Sequence, residues 1–214
     1  MSQVKKVKIS KKGILFTPNR LEALTDGIFA IVMTLLVLDL SITGISQSSV
    51  QTELPQRLFE SWPKFLSYVM SFIILGMIWI SHHRMFHYIK RANPMLMWIN
   101  ILFLMFVALV PFSTRLIGDY LWTQVPFVIY GINMSLIFVV RLALWNFASG
   151  KSRLVDSSIN PSVIKRLKLF IGIVPLIMFL LLIGVSFINI IAGYVILWLL
   201  LPYGVLAQRL TGNE

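Results

Sequence analysis

Three carboxylates interrupt an otherwise apolar, helix-length stretch near the start of the chain. Glu22 and Asp26 lie at the beginning of residues 20–40, and Asp39 lies near the end. A carboxylate in a lipid-facing helix costs about 3 kcal/mol or more, so such residues usually face a bundle interior or a water-filled cavity. Groups of this kind attract cations or transfer protons. We therefore interpret this stretch as the candidate functional element.

Between these acids, four residues recur at helical spacing. Gly27, Ile31, Thr34 and Leu38 follow one another at steps of four, three and four, which places them on one side of a helix. A pore lined by this side has a hydrophobic constriction, a ring of threonine hydroxyls and acidic mouths, which are elements that channels use. The same spacing is typical of ordinary packing by small and branched side chains. The spacing alone favours that simpler interpretation.

A second polar group closes the next apolar stretch, where His82 and His83 are adjacent. Neighbouring residues on a helix point about 100° apart, so the pair makes a poor metal site and no metal is predicted. This end and the start of the first stretch are both expected at the cytoplasmic side, so we expect one histidine to face Asp26 or Arg20. Asn100 either completes this cluster or hydrogen-bonds to a neighbouring helix. Such a cluster would fix the first helix and respond to pH.

The composition identifies the class of protein. Of the 214 residues, 57% are hydrophobic and 13% are charged, and the mean hydropathy is +0.84, values typical of an integral membrane protein. We interpret the net charge of +11 as a record of membrane orientation and not as a nucleic-acid surface. The sequence contains no cysteine, which excludes disulfides and thiolate metal sites, and no cofactor is predicted.

Six membrane helices of an all-α protein are predicted to position these residues. A bilayer core needs about 20 mostly apolar residues per helix. The stretches that approach this length are residues 21–42, 65–86, 95–116, 124–147, 169–187 and 190–208. Residues 20–208 form the predicted transmembrane channel domain, between a basic cytoplasmic tail at 1–19 and a short cytoplasmic tail at 209–214. A cleaved signal peptide is disfavoured, because acids interrupt the first stretch and further spans follow it.

The positions of lysine and arginine predict the orientation. They concentrate in the N-terminal tail and after the second and fourth stretches, where we count Arg141 with the cytoplasmic end of the fourth. The opposite side holds only Arg57, Lys64 and Arg115. The positive-inside rule therefore predicts that both termini are cytoplasmic, and an even number of spans agrees with termini on the same side.

The first stretch also resembles the signature of the transmembrane protein 175 family, the lysosomal potassium channels and their bacterial and archaeal relatives. That signature is Arg-x-x-x-Phe-Ser-Asp, and this chain has Arg20 and Asp26 at the same separation. Leu24 and Thr25 replace the phenylalanine and the serine, and they keep an apolar side chain and a hydroxyl. The family's arginine and aspartate are thought to be held by polar residues of the next helices, which agrees with the cluster expected above.

This resemblance implies a pore lined by the first helix. Ile31 matches the residue that narrows the pore, Thr34 matches a polar layer proposed to act in selectivity, and Leu38 matches a second apolar ring. Asp39 is expected to concentrate cations at the outer mouth or simply to mark the end of the helix. The family further implies a potassium-preferring cation channel in the lipid bilayer, assembled as a homotetramer. Single-unit length and the absence of targeting signals predict a prokaryotic plasma membrane.

Two other functions compete with a channel. A proton-coupled secondary transporter would use Asp26 with His82 or His83 as its relay, although transporters usually place such groups at the bilayer midplane. A membrane enzyme would need a nucleophile and a base, or metal ligands, gathered together. No hydrolase or metalloprotease motif accompanies the candidate residues, so no catalytic residue is predicted.

Overall fold

The structure is a computed structural model that describes residues 17–42, 44–150 and 154–212, and these residues form helices joined by short connections. The helices are α1 (Asn19–Leu35), α2 (Val50–Glu60), α3 (Trp62–Tyr88), α4 (Pro94–Ala108), α5 (Val110–Asp119), α6 (Gln124–Ser149), α7 (Pro161–Arg166), α8 (Val174–Ser186) and α9 (Ile190–Gly212). A 3₁₀ segment, Leu36–Leu40, extends α1, and a π-helical segment, Leu167–Ile173, joins α7 to α8.

Six helical stretches are long and apolar enough to cross a membrane. They run over Asn19–Leu40, Trp62–Tyr88, Pro94–Asp119, Gln124–Ser149, Pro161–Ser186 and Ile190–Thr211. The predicted all-α fold with six membrane helices is therefore confirmed. The fifth span begins at Pro161 rather than at residue 169, because the polar helix α7 continues directly into the apolar segment that follows it. Most of the predicted tails, at 1–16 and 213–214, lies outside the described residues.

Asparagine caps determine where three of these spans begin. The side chain of Asn93 accepts a hydrogen bond from the backbone N–H of Leu96 at 2.9 Å, and Asn160 accepts one from Ser162 at 2.9 Å. A proline follows each of these two caps, at a position where a helix needs no N–H donor. Asn189 accepts from the N–H of Ile191 at 2.9 Å. These caps satisfy donors that would otherwise be unpaired at the helix starts.

Pro111 divides the third span into two helices. The ring removes one backbone donor and clashes with the preceding turn, so α4 ends at Ala108 and α5 begins at Val110. The loop after the first span contains a helix that was not among the predicted helices. That helix, α2, has no buried residue and contains Pro55.

The interior is organised around α6, which packs against α4, α5, α8 and the π-helical segment. One apolar cluster fills the middle of the bundle and includes Phe29 of α1, Leu75 of α3 and Met134 of α6. A second cluster lies at the end where α3 and α6 finish, and includes Phe86 and Trp145. Since α1 contacts only one side of this bundle, through α3, α4 and α5, its other side stays uncovered in the single chain.

The α3–α4 and α6–α7 connections are joined at the same end of the bundle. Ile89 and Val155 form an isolated antiparallel bridge. The backbone N–H of Lys90 donates to the carbonyl of Leu154 at 2.9 Å, and the N–H of Asp156 donates to the carbonyl of Tyr88 at 2.9 Å. This bridge pairs backbone groups of two connections and holds the ends of α3 and α6 together.

Candidate ion pathway on the first helix

Helix α1 has two faces of different character. Its packing face consists of buried side chains spaced three or four residues apart, namely Leu21, Thr25, Phe29, Val32 and, in the 3₁₀ segment, Leu36. Every residue of the predicted pore stripe is instead exposed, and these residues are Gly27, Ile31, Thr34 and Leu38. At about 100° per residue, the centre of this stripe lies roughly opposite the packing face. The stripe therefore faces away from the bundle.

The exposed stripe has the composition of a constriction with a polar layer. The side chain of Ile31 is 56% exposed and that of Leu38 is 66% exposed. The Thr34 hydroxyl donates to the backbone carbonyl of Ile31 at 2.7 Å and lies 3.1 Å from that of Ala30. A hydroxyl that gives its proton to its own helix keeps oxygen lone pairs free to accept from water or to coordinate a cation.

Asp26 is held by a tryptophan of the neighbouring helix. The indole Nε1 of Trp79, on α3, donates to Oδ1 of Asp26 at 2.8 Å. The contact with a histidine that we expected is not formed, because the indole occupies this position. The ring of His83 lies next to Trp79, with 6.3 Å between the ring centroids. An indole donor within an apolar stretch needs an acceptor, and that need is the sequence signal that identifies Trp79.

Thr25 and Asn100 connect α1 to α4 inside the bundle. The side-chain amide of Asn100 donates to the Thr25 hydroxyl at 3.1 Å, and both residues are almost completely buried, at 0% and 2% exposure. Of the two alternatives for Asn100, the structure has the hydrogen bond to a neighbouring helix. The partner, Thr25, is adjacent to Asp26 in the sequence. The hydroxyl is one residue before Asp26, at the position that replaces serine in the resembled signature.

The remaining members of the predicted cluster are separated from Asp26. His82 is buried between Phe86 and Phe103, and its ring stacks on Phe103 with 4.6 Å between centroids and 2° between planes. Neither of its ring nitrogens hydrogen-bonds to a described residue. Arg20 is exposed and makes no ion pair with the residues described in the structure. The structure thus brings Asp26, Thr25 and Asn100 to the start of α1. His82 lies close to the side chain of Asn100 without a well-formed hydrogen bond to it, and Arg20 and His83 are not hydrogen-bonded to these three residues.

Asp39 lies in a balanced cluster of charges at the other end of α1. Its Oδ1 is 4.0 Å from Nε of Arg115, which also donates to Asp119 at 3.3 Å. Lys64 contacts Asp119 at 2.8 Å. Two acids therefore pair with two bases, and Arg115 offsets part of the negative charge of Asp39 at this end of the helix. Sequence analysis assigned Lys64 and Arg115 to the outside but did not predict their pairing with Asp39.

Arg141 differs most from its predicted place. We counted it with the cytoplasmic end of the fourth span, yet its side chain is 2% exposed and lies inside the bundle. The reason is packing, because α6 is the central helix and Arg141 is on its buried side. Among the described residues, no group of three or more histidines, cysteines or acids is arranged to hold a metal ion.

Comparison with known proteins gives consistent matches. The family model described as endosomal/lysosomal potassium channel TMEM175 matches residues 20–111, a range that contains every predicted site residue. A potassium channel of Streptomyces collinus is 34% identical over 145 residues, which are 66% of this chain and 69% of that protein. The endosomal/lysosomal proton channel TMEM175 of Gallus gallus is 34% identical over 106 residues, but this chain covers only 21% of it.

A solved structure has the same fold over nearly its whole length. It is the crystal structure of a lysosomal potassium-selective channel TMEM175 homolog from Chamaesiphon minutus. The match has a TM-score of 0.73 at 30% sequence identity and covers 88% of this chain and 96% of that one.

Proposed function

The chain belongs to the TMEM175 family of ion channels. We propose that several identical chains form a central potassium-preferring pore, which is lined by the exposed stripe of α1. Members of this family conduct ions across membranes and are not enzymes. The bacterial relatives matched here are named potassium channels. The chain is accordingly a multi-pass membrane channel, and the details of the pore, its assembly and its location constitute the proposal.

The two-faced character of α1 carries this proposal. Its packing face binds the bundle, and the opposite stripe is uncovered, so that stripe either contacts lipid or faces further copies of the chain. Acids near both ends of a helix are costly in contact with lipid and usually face a bundle interior or a water-filled cavity. Their presence on α1 therefore favours contact with further copies of the chain. One helix cannot enclose a pathway, and a closed ring of identical chains can. We propose a homotetramer, the assembly that the family resemblance implies.

Within this pore, Ile31 forms the narrow apolar ring and Leu38 a second one. Thr34 supplies a layer of hydroxyl oxygens between them, which replaces part of the hydration of a potassium ion. Because side chains form the selective layer, the preference for potassium over sodium is expected to be modest. Asp39 lies at the outer mouth, where Arg115 moderates its charge.

The start of α1 is fixed by contacts with two helices. Trp79 holds Asp26, and Asn100 holds Thr25, so one bond to α3 and one to α4 set the rotation of α1 about its axis. This rotation decides which residues face the pore. We therefore assign Asp26 and Asn100 a structural role, and we assign Arg20, His82 and His83 to the same end of the molecule, outside the pathway.

We infer the orientation from the charges and the location from the bacterial relatives. The basic ends of the spans favour cytoplasmic termini, with 1–19 and 209–214 as tails and 20–208 as the channel domain. The similarity to bacterial potassium channels favours a prokaryotic plasma membrane. Proton conduction is the second candidate function, because vertebrate relatives are named proton channels. A proton-coupled transporter remains the alternative mechanism, and it differs from a channel because its flux requires the coupled ion.

Ion flux through purified protein in liposomes tests the proposal. We expect passive flux down a potassium gradient, smaller flux down a sodium gradient, and no requirement for a pH gradient. Ile31→Asn should raise the flux and reduce the preference for potassium, because it removes the apolar barrier.

Val37→Asn is the matched control. Val37 is also exposed, at 47%, but it lies about a quarter turn from the stripe. The proposed pore is wrong if both variants behave alike. Flux that appears only with a proton gradient would favour the transporter.

A further inference from the structure

Arg141 is a buried cation whose charge is not balanced by the residues around it. It lies on α6 within the fourth span, and its side chain is 2% exposed. One terminal nitrogen donates to the hydroxyl of Ser81, while Nε has no partner among the described residues. None of the ion pairs within the described part of the chain includes Arg141. Because arginine stays protonated, this charge needs a counter-charge to be stable at membrane depth.

A cavity opens beside this guanidinium. Its volume is about 50 Å³, and it lies between α3, α6, α8 with its π-helical extension, and α9. The walls are mainly apolar, formed by residues such as Ile74, Phe138, Phe179 and Leu200. The wall hydroxyl of Tyr203 is already committed to the carbonyl of Phe170 at 2.6 Å. Arg141 is therefore the group in this cavity that offers an anion strong, unused hydrogen-bond donors.

We propose that this cavity binds the anionic head group of a membrane lipid, with its phosphate oxygens on Arg141 and an alkyl chain along the apolar wall. The guanidinium presents paired donors that match two oxygens of a phosphate. The volume holds one small charged group or a few waters, since one water needs about 10–15 Å³. Ser81 orients the guanidinium through its hydrogen bond, and Nε keeps no partner among the described residues.

The surroundings favour a lipid over a free anion. A hydrated inorganic phosphate would have to lose water to enter apolar walls, which is costly without an alkyl group that gains from the same walls. Arg141 lies about 12 Å along the helix axis from Ser149, the last residue of α6. That depth places the guanidinium below the proposed cytoplasmic surface of the bilayer, within reach of a head group from that leaflet. The bound lipid would join the α8–α9 hairpin to α3 and α6.

Lipid-dependent stability tests this site without reference to conduction. Phosphatidylcholine also carries a phosphate, but its choline cation would lie close to Arg141 and oppose binding. Purified protein is therefore placed in phosphatidylcholine nanodiscs and in nanodiscs of equal parts phosphatidylcholine and phosphatidylglycerol, and its melting temperature is measured in each. Native mass spectrometry then counts the phosphatidylglycerol retained after transfer to detergent. We expect wild type to melt at a higher temperature with phosphatidylglycerol and to retain it. Arg141→Met should show no increase in melting temperature with phosphatidylglycerol and should retain at least about tenfold less of this lipid than wild type.

Two variants keep the test decisive. Arg209→Met removes an exposed arginine at the same end of the molecule, and its lipid-dependent shift should equal that of wild type. Ala207→Leu fills the cavity wall while Arg141 stays in place, so it should abolish lipid retention even if Arg141→Met fails to assemble. In phosphatidylcholine alone, Arg141→Met should be at least as stable as wild type, because a buried unpaired charge has been removed.

Three results would overturn the proposal. The first is a wild-type melting temperature that does not change with phosphatidylglycerol. The second is a full shift in Arg141→Met. The third is an equal shift caused by inorganic phosphate added to phosphatidylcholine nanodiscs, which would show that the cavity is a free-anion site and not a lipid site.

Discussion

Breaking the buried pair between Thr25 and Asn100 should destabilise the protein and also change its ion selectivity. Thr25→Val leaves the amide of Asn100 without its partner in a position that has 0% exposure. An unpaired buried donor costs about 1–3 kcal/mol. Asn100→Leu should cost less, because the remaining Thr25 hydroxyl can bond to its own helix. The double variant has no unpaired amide, so the coupling energy equals this penalty. Measured couplings between membrane helices reach at most about 1.7 kcal/mol, so we expect a value of about 1–1.7 kcal/mol.

A double-mutant cycle measures this coupling. The free energy of unfolding is obtained for wild type, both single variants and the double variant by titration with a denaturing detergent, and potassium and sodium flux is measured on each. Selectivity should change because α1 can rotate when its bond to α4 is lost, which moves the exposed stripe.

A second buried pair provides the control. The amide of Asn133, on α6, donates to the hydroxyl of Ser113, on α5, at 3.3 Å, so neither partner of this pair is on α1. Ser113→Ala and Asn133→Leu should destabilise the protein by a similar amount but leave selectivity unchanged. The reasoning is refuted if the Thr25–Asn100 coupling is zero, or if the control pair changes selectivity to the same extent.

Three further predictions concern groups outside this pair. Trp79→Phe and Asp26→Ala should each weaken assembly by about 0.5–1.5 kcal/mol, and the two losses should not be additive because both variants remove the same hydrogen bond. Native mass spectrometry of the oligomer checks this, and additive losses would contradict it. At low salt, Arg115→Gln should raise cation conductance and Asp39→Asn should lower it, and both effects should decrease as salt screens the charges. Single-channel recording over a range of salt concentrations measures this. Effects as large at high salt as at low salt would argue against an electrostatic cause. Asp156 accepts hydrogen bonds from the N–H and the hydroxyl of Ser158, which lower the pKa of its carboxyl. A lowered pKa in the folded state stabilises this loop above the ordinary pKa, and the effect is lost as pH falls through the folded value. The hydrogen-exchange protection factors of the loop, corrected for the intrinsic exchange rate, should therefore decrease below about pH 4 in wild type and should show no such step in Asp156→Asn.

The membrane fold was accessible from the sequence because it depends on composition and on strong local signals. Runs of apolar residues defined the six spans, and the structure has a long apolar helical stretch over each of them. Helix α2 was not predicted, because Pro55 and a polar composition are typical of a loop. The helix nevertheless continues past this proline for another turn.

The contacts of the candidate site were less accessible, because they depend on how helices are rotated against one another. His82 and Trp79 are three residues apart on α3, so they lie about one helical turn apart along its axis. The position of α1 along α3 therefore decides which of them contacts Asp26, and in the structure it is Trp79. Asn100 needed a neighbour by its chemistry alone, yet the identity of that neighbour, Thr25, required the packing of α1 on α4. The burial of Arg141 was missed for the same reason, since charge counting contains no information about which side of α6 faces the core.

The central claim is that the uncovered stripe of α1 lines a shared pore. The absence of cysteine from the sequence makes this claim directly measurable, because every introduced thiol is the only one in the chain. Single cysteines are placed at Thr34 in the stripe, at Val37 beside it and at Val32 on the packing face, and potassium flux is recorded before and after addition of a charged, thiol-specific reagent.

We predict that the reagent blocks flux through Thr34→Cys, and that it leaves flux through Val37→Cys and Val32→Cys unchanged. Val37 is exposed but lies off the stripe, and Val32 is 2% exposed. Block at Val37→Cys with none at Thr34→Cys would show that another face of α1 lines the pathway. Flux that the reagent leaves unchanged in all three variants, with labelling of Thr34→Cys verified by mass spectrometry, would contradict a pore lined by this stripe.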